Sequence, residues 1–124
     1  MDYVKWLGHA AFELSLDSKR ILVDPWLTGN PLACCSPRDL EKADIILVTH
    51  DHGDHLGDAI EIAKRFDSTL VAIYEIAVHA QQKGVKRTIG TNIGGYVEVE
   101  GLKIVVTPAL HSSERGVPVG FIVI

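Results

Sequence analysis

The segment VTHDHGDH, residues 48–55, concentrates side chains that can bind metal ions. His50, His52, Asp54 and His55 follow the apolar run ADIILV, which is typical of a buried strand. Such a strand delivers its last residue to the surface, so we expect side chains from the strand end, the turn and the start of the next helix to converge. Imidazole and carboxylate groups together suit Zn, Fe, Mn or Ni.

These four side chains lie too close together for one ion to use all of them comfortably. Two neighbouring ions, about 3.5–4 Å apart as in other two-metal sites, would accommodate them. His50 and His52 would then bind one ion, and Asp54 and His55 the other. The alternative is a group of surface residues without a metal. That arrangement would crowd imidazoles and carboxylates into one tight turn with no gain in stability, so we favour a metal site.

Composition and charge restrict the class of protein. The 124 residues suggest one domain, and 47% hydrophobic with 23% charged residues is typical of a soluble globular protein. The net charge of −4 and the scattered basic residues argue against a nucleic acid as the main partner. No apolar run approaches the roughly 20 residues of a membrane span, and no signal-peptide pattern is visible. We therefore expect a cytoplasmic protein with no membrane partner.

The two cysteines, Cys34 and Cys35, are adjacent, and the chain has no third cysteine with which either could pair. The absence of a disulfide framework fits a reducing compartment. Without CxxC spacing they are interpreted as inert thiols in a loop rather than as metal ligands.

Strands and helices alternate along the part of the chain that would position the metal ligands. Phe12, Leu14 and Leu16 alternate with polar residues, which predicts a strand with one face in solvent. The order of elements predicts a mixed α/β sandwich with helices on the sheet. We expect strands at 3–8, 10–16, 20–24, 43–50 and 69–74, helices at 55–66 and 75–84, a loop at 25–39, and short β segments from 86 onward.

The motif and its surroundings resemble the metallo-β-lactamase superfamily. The segments WLGHAAFEL, ILVDPWLTGNP, TNIGG and ALHSS follow one another as in one branch of it. That branch comprises uncharacterised metal-dependent hydrolases related to the ascorbate-6-phosphate lactonase group. The resemblance covers essentially the whole chain. It implies an α/β fold of the metallo-β-lactamase-like αββα sandwich type, of which this chain would form the N-terminal half, a mixed sheet with helices on one face.

The resemblance also implies roles for individual residues. His50 and His52 match two ligands of the first metal, and His111 in ALHSS matches the third. Asp54 and His55 match ligands of the second metal. By its surroundings alone His111 is equally well a surface residue, so its assignment depends on the resemblance. Asp54 would also orient the hydroxide that the metals activate, which makes it the expected catalytic residue.

Five further histidines and aspartates are assigned by their surroundings. His9 matches the family pattern, but orienting a ligand, contacting the substrate and a structural role all remain open. Asp24 also matches; it either accepts a hydrogen bond from a ligand imidazole or caps a turn. We interpret His79 as a surface or structural residue. Asp51 and Asp58 are interpreted as solvated, with Asp58 able to cap the helix start.

The ligand set predicts a metal-dependent hydrolase, because a divalent metal lowers the pKa of bound water to about 7. The substrate bond could be an ester, lactone, amide or phosphodiester, and the lactonase relationship favours a small polar substrate. A nucleic-acid-processing nuclease is a less favoured alternative because of the charge balance. We expect one or two transition metal ions, with zinc first and Mn, Fe or Ni as alternatives.

Members of the family run to about twice this length, and their second half supplies a bridging aspartate and a last histidine. This chain has neither an aspartate nor a histidine after His111. We therefore expect residues 1–124 to be a single domain that is truncated at its C-terminus. It would be either part of a hydrolase or an inactive metal-binding half-domain. Its final strand would be covered in a homo-oligomer or by a C-terminal half.

Overall fold

The computed structural model describes all residues from Met1 to Ile124, and its main element is a six-stranded sheet. Neighbouring strands are antiparallel from the first to the third and parallel from the third to the sixth. In sheet order, which is also chain order, the strands are β1 (Tyr3–Gly8), β2 (Ala11–Leu16), β3 (Lys19–Val23), β4 (Ile45–Leu47), β5 (Thr69–Ile73) and β6 (Arg87–Thr91).

The remaining elements form two further layers. A three-stranded antiparallel sheet contains β7 (Tyr96–Val99), β8 (Leu102–Pro108) and β9 (Val119–Val123). The helices are α1 (Gly53–Leu56), α2 (Ala59–Phe66) and α3 (Tyr74–Gln82), with a single 3₁₀ turn at Pro37–Asp39. None of these helices has the length and apolar character that crossing a membrane requires.

The core explains the layering. On one face of the large sheet, Ile46 and Leu70 belong to a cluster with Ile62 of α2 and Ile76 of α3. On the other face, residues of β3, β4 and β5 pack against the small sheet, with Ile104 among its members. The layers are therefore helix, sheet and sheet. This confirms the predicted mixed α/β sandwich with helices on one face of the mixed sheet.

The parallel arrangement of β3 to β6 positions the site. Parallel strands need crossover connections: the long loop with the 3₁₀ turn joins β3 to β4, α1 and α2 lie between β4 and β5, and α3 lies between β5 and β6. The carboxyl ends of these strands consequently meet at one edge of the sheet. The segment after β8 reaches the same edge, because the N–H of Val119 donates to the carbonyl of Thr49 at 2.9 Å.

The solvent-facing side of β2 was predicted wrongly. Glu13 and Ser15 are buried, whereas Phe12 is 36% exposed. Glu13 is accommodated because the hydroxyl of Tyr3 donates to its Oε2 at 2.8 Å and Arg20 lies 3.6 Å from its Oε1. The fully buried cluster against the small sheet involves β3 to β5, so the apolar side of β2 is only partly covered.

The single helix predicted over 55–66 is in fact two helices. It begins earlier, at Gly53, and breaks between α1 and α2 at Gly57, whose φ of 44° and ψ of −121° are not helical. The cause is the loop after β3, since a Cβ at Gly57 would overlap the backbone of Trp26. Only glycine allows so close an approach in this conformation. The break lets α1 present the end of the motif separately from α2.

Candidate metal centre

All residues assigned to the site lie at the edge where the parallel strands end. The first two motif histidines follow β4, and the next acid and histidine lie in α1. The remaining ones come from the turn between β1 and β2, the end of β3 and the loop after β8. In chain order the set is His9, Asp24, His50, His52, Asp54, His55 and His111.

The structure brings three imidazoles together in what we call the first cluster: His50, His52 and His111. One possible ligand atom from each lies within 4.8 Å of the other two. The ring centroid of His50 lies 4.8 Å from that of His52 and 4.4 Å from that of His111. His111 is therefore placed with the motif histidines, although it is distant from them in sequence.

A second cluster contains His9, Asp54 and His55, again with ligand atoms within 4.8 Å of one another. His9 Nε2 lies 3.1 Å from Asp54 Oδ2, and His55 Nε2 lies 3.8 Å from Asp54 Oδ1. The structure thus groups Asp54 with His55, and adds His9 to them. The sequence left the role of His9 open and counted only two protein ligands here.

Asp24 connects the two clusters. Its Oδ2 accepts a hydrogen bond from His55 Nδ1 at 2.8 Å and another from the Thr49 hydroxyl at 2.6 Å. The N–H of Thr49 donates to Oδ1 at 2.8 Å, and the Thr49 hydroxyl oxygen lies 3.0 Å from His50 Nδ1. Of the two roles left open by the sequence, the structure supports acceptance from an imidazole, with Thr49 extending the contact to His50.

These hydrogen bonds determine which imidazole nitrogens carry protons. The carbonyl oxygen of Ser112, 2.8 Å from His111 Nδ1, can only accept, so Nδ1 of His111 is protonated. His55 Nδ1 donates to the Asp24 carboxylate in the same way. The Thr49 hydroxyl donates to Asp24, so it accepts from His50 Nδ1. Nδ1 is thus the donor in each ring, which leaves Nε2 as the nitrogen that can bind a metal.

His50 gives an independent test of whether these residues fit a metal. It is 4% exposed, and its Nε2 is the one buried side-chain nitrogen or oxygen without a hydrogen-bond partner. A buried polar atom is rarely left unpaired in a folded protein. Burial, followed by the charges of His55, His111 and His52, lowers the pKa of His50 to about 4. The ring is therefore neutral at pH 7 with its lone pair available, which fits a divalent transition metal.

The two carboxylates near the histidines have different environments. Burial raises the pKa of Asp24 against the opposing hydrogen bonds from Thr49 and His55. Partial burial also acts to raise the pKa of Asp54, but His55 and His9 outweigh it, so that pKa is lowered. The Asp54 side chain is 44% exposed and that of Asp24 only 4%. Asp54 is thus the ionised carboxylate that a molecule approaching from solvent can reach.

Asp51 was interpreted as solvated, and this was wrong. Its side chain is 0% exposed, and both carboxylate oxygens accept hydrogen bonds from Ser113, Glu114 and Arg115. Burial acts to raise the pKa of Asp51, but these bonds outweigh it and lower the pKa. The only sign of this role in the sequence is the segment SSER directly after His111. Its hydroxyl, guanidinium and backbone N–H groups are hydrogen-bond donors that a carboxylate can accept from.

The predicted capping role of Asp58 is also wrong. Asp58 precedes α2, but its side chain makes no capping bond. Its Oδ2 instead accepts from the N–H groups of Leu27 and Thr28, each at 2.8 Å, and so holds the loop after β3. His79 lies in α3 outside the metal-binding groups, in line with its interpretation as a structural or surface residue.

The two clusters lie on an open surface. The cavities of the chain have volumes of about 240 to 490 Å³, and none is lined by a residue of either cluster. The largest is lined by residues 90–97 together with Val106.

Curated relatives of this chain are named metal-dependent hydrolases. A "UPF0173 metal-dependent hydrolase" from Caldivirga maquilingensis is 54% identical over 99% of this chain and 55% of its own length. The corresponding protein from Methanopyrus kandleri is also 54% identical, over 97% of this chain and 56% of its own length. The chain thus spans about half the length of the curated relatives it matches.

Solved structures agree with the fold. Igni18, described as a metallo hydrolase from the archaeon Ignicoccus hospitalis, superposes with a TM-score of 0.91 and 41% identity, over 99% of this chain and 55% of its own. CmlA, a diiron β-hydroxylase from Streptomyces venezuelae, has a TM-score of 0.79 but 19% identity, over 98% of this chain and 27% of its own, so it shares the fold alone.

The family model of the "Beta-lactamase superfamily domain" matches residues 19–124. That range includes β3, β4, α1 and the loop after β8, and thus every residue of the two clusters except His9. The chain, whose relatives are named metal-dependent hydrolases, therefore belongs to the beta-lactamase superfamily.

Proposed function

We propose that this chain carries the metal centre of a metal-dependent hydrolase. His50, His52 and His111 hold the first ion, and Asp54 and His55 hold a second one with His9. The observation that carries the proposal is the convergence of three imidazoles around the buried, unpaired Nε2 of His50. Zinc is the proposed ion, because three imidazoles and a water complete its tetrahedral coordination. Mn, Fe and Ni are the alternatives that the same donors accept.

The proposed chemistry is hydrolysis of an ester, lactone, amide or phosphodiester in a small polar substrate. A bound divalent ion supplies Lewis acidity and makes hydroxide available near neutral pH. Asp24 orients His55 directly and His50 through Thr49. Asp54, whose side chain is 44% exposed, is placed to take a proton from the attacking water. His9 Nε2 lies 3.1 Å from Asp54 Oδ2, which keeps the two side chains together at the second cluster.

A second candidate is a metal-binding half-domain with little activity of its own. It is supported by the open surface around both clusters and by the share of the relatives that this chain spans, 55% for the Caldivirga protein. A diiron β-hydroxylase with the same fold also shows that the fold alone does not determine the reaction. Turnover of activated esters and bis-phosphodiesters by the chain itself separates this candidate from the first.

Metal content tests the ligand assignment directly. Protein purified without chelator should contain a transition metal, measured by elemental mass spectrometry. His50→Ala combined with His52→Ala should abolish it, because two of the three imidazoles of the first cluster are lost. His79→Ala is the matched control, since it removes an imidazole outside both clusters. Unchanged metal content in the double variant would place the metal elsewhere and refute the assignment.

We further propose that the chain works in the cytoplasm, with no nucleic-acid partner, and that its small sheet is covered in a homo-oligomer or by a C-terminal half. The free cysteines support a reducing compartment. At the edge strand β9, Ile122 and Ile124 are 50% and 68% exposed, and Tyr96 of β7 is 57% exposed. Exposed edges and apolar patches favour association. A strictly monomeric species in sedimentation velocity would argue against the homo-oligomer.

A further inference from the structure

The loop that carries His111 has little structure of its own. Residues 109–118 contain no helix or strand between β8 and β9, and Leu110 beside His111 is fully exposed. A ligand on such a loop must be held in place from outside, because a poorly positioned imidazole loses metal affinity. The question is which contact holds it.

The hydrogen bonds between residues 111–115 and the rest of the chain all end on one carboxylate, that of Asp51. Its Oδ1 accepts from the Ser113 hydroxyl and the Glu114 N–H, both at 2.9 Å. Its Oδ2 accepts from the Arg115 N–H at 2.9 Å and from the Arg115 guanidinium at 3.1 Å. Hydrogen bonds to an ionised carboxylate are shorter and stronger than neutral ones.

Asp51 lies between His50 and His52 in sequence. The residue that accepts the hydrogen bonds of the loop therefore belongs to the segment that carries the other two imidazoles. We propose that Asp51 is a positioning residue, which sets His111 against His50 and His52 and so completes the first cluster. This inference rests on the proposed function. It adds that the third ligand depends on a carboxylate outside both clusters, one that contacts neither the ion nor the substrate.

The test is a double-mutant cycle on zinc affinity, measured by competition with a chromophoric chelator. In Asp51→Asn, an amide nitrogen replaces one carboxylate oxygen and cannot accept from the pair of loop donors that it faces. Its affinity should fall about 10- to 100-fold, as for other residues that orient a ligand. In the His111→Ala background the same change should cost almost nothing further, because the residue through which Asp51 acts is gone.

Two variants keep the test independent of folding. Asp44→Asn is the matched control: Asp44 also accepts a backbone N–H, from Arg20 at 2.7 Å, but it lies at the opposite end of β4 and should leave affinity unchanged. Ser113→Ala removes only one of the donors to Asp51 and should give a smaller loss. If Asp51→Asn does not fold, Ser113→Ala takes its place in the same double-mutant cycle and tests the positioning role of Asp51.

A spectroscopic readout separates positioning from a general loss of stability. The His111 ring signals in the NMR spectrum of the zinc-loaded protein should move to metal-free positions in Asp51→Asn, while those of His50 and His52 stay metal-bound. Equal losses of affinity with and without His111 would overturn the role of Asp51 alone. Unchanged affinity in His111→Ala would overturn the proposed ligand set as well, so the two failures are distinguishable.

Discussion

The two clusters differ in the origin and the exposure of their groups. The first contains imidazoles only and runs from His50, which is 4% exposed, to the exposed His111. The second includes a carboxylate, and the side chains of His9 and Asp54 are 42% and 44% exposed. Under the proposed function, the buried His50 would help to retain an ion, and the carboxylate of Asp54 would contact solvent and substrate.

The clusters also depend on different supports. The second cluster is supported by the end of β3 and the loop that follows it, since Asp24 orients His55 and Gly57 lets α1 pack closely against this loop. The first depends on a loop remote in sequence, which Asp51 holds. Each cluster therefore forms only when segments far apart in the chain meet. Changes confined to Asp51 or to Gly57 should act mainly on the cluster that each supports, whereas Asp24 connects both.

The largest effect should come from removing the exposed carboxylate. Asp54→Ala should reduce turnover by about 10²- to 10⁴-fold, because positioned proton transfer contributes that much to many enzymes. The first cluster should still bind one ion, since Asp54 is not part of it. Steady-state kinetics with an activated ester or bis-phosphodiester, together with metal content, measures both.

Cys34→Ala is the control for Asp54→Ala. Cys34 is exposed in the loop after β3 and belongs to neither cluster, so its loss should leave turnover unchanged. Near-normal hydrolysis by Asp54→Ala would exclude the proposed role of this carboxylate.

A smaller effect should follow from distorting the support of the second cluster. Gly57→Ala places a side chain against the backbone of Trp26 at a φ of 44°, and such strained positions cost about 1–3 kcal/mol. Because Gly57 directly follows α1, the second metal equivalent should also bind more weakly than in the wild type. Chemical denaturation and zinc titration measure the two effects.

Gly53→Ala is the matched control for Gly57→Ala. Gly53 starts the same helix and lies next to His52, yet an added Cβ there meets no atom within 4 Å. It should change neither the free energy of unfolding nor the binding of the second metal. A Gly57→Ala protein as stable as Gly53→Ala would contradict the structural reason given for the break between α1 and α2.

The sequence predicted best what is local. His50, His52, Asp54 and His55 are close in space because a strand, a turn and a short helix follow one another directly. Similarly, the order of strands and helices was enough to predict the mixed sheet and its helical face. For His111, only the resemblance to a family pointed to the site, since nothing in its neighbourhood distinguishes a ligand from a surface histidine.

The contacts that the sequence missed are those between different strands and loops. Asp51 is a charged residue in a polar segment, which is typical of a solvated side chain. Its N–H donors belong to Glu114 and Arg115, in the loop after β8. Glu13 is buried for a similar reason, because Tyr3 and Arg20 on adjacent strands compensate its charge. Alternation of apolar and polar residues cannot predict such pairings, because it describes the two faces of a single strand and not the residues on its neighbours.

The smallest effect, and the one that compares the clusters most directly, concerns His9. His9→Ala should weaken binding of the second zinc equivalent by about tenfold and leave the first unchanged. The loss is moderate because His9 is 42% exposed, so that water can occupy the position its ring leaves. Isothermal titration calorimetry resolves the two steps, with His79→Ala as the control imidazole outside both clusters. Since His9 also contacts Asp54, a weaker first step would mean that the clusters share ligands and act as one site.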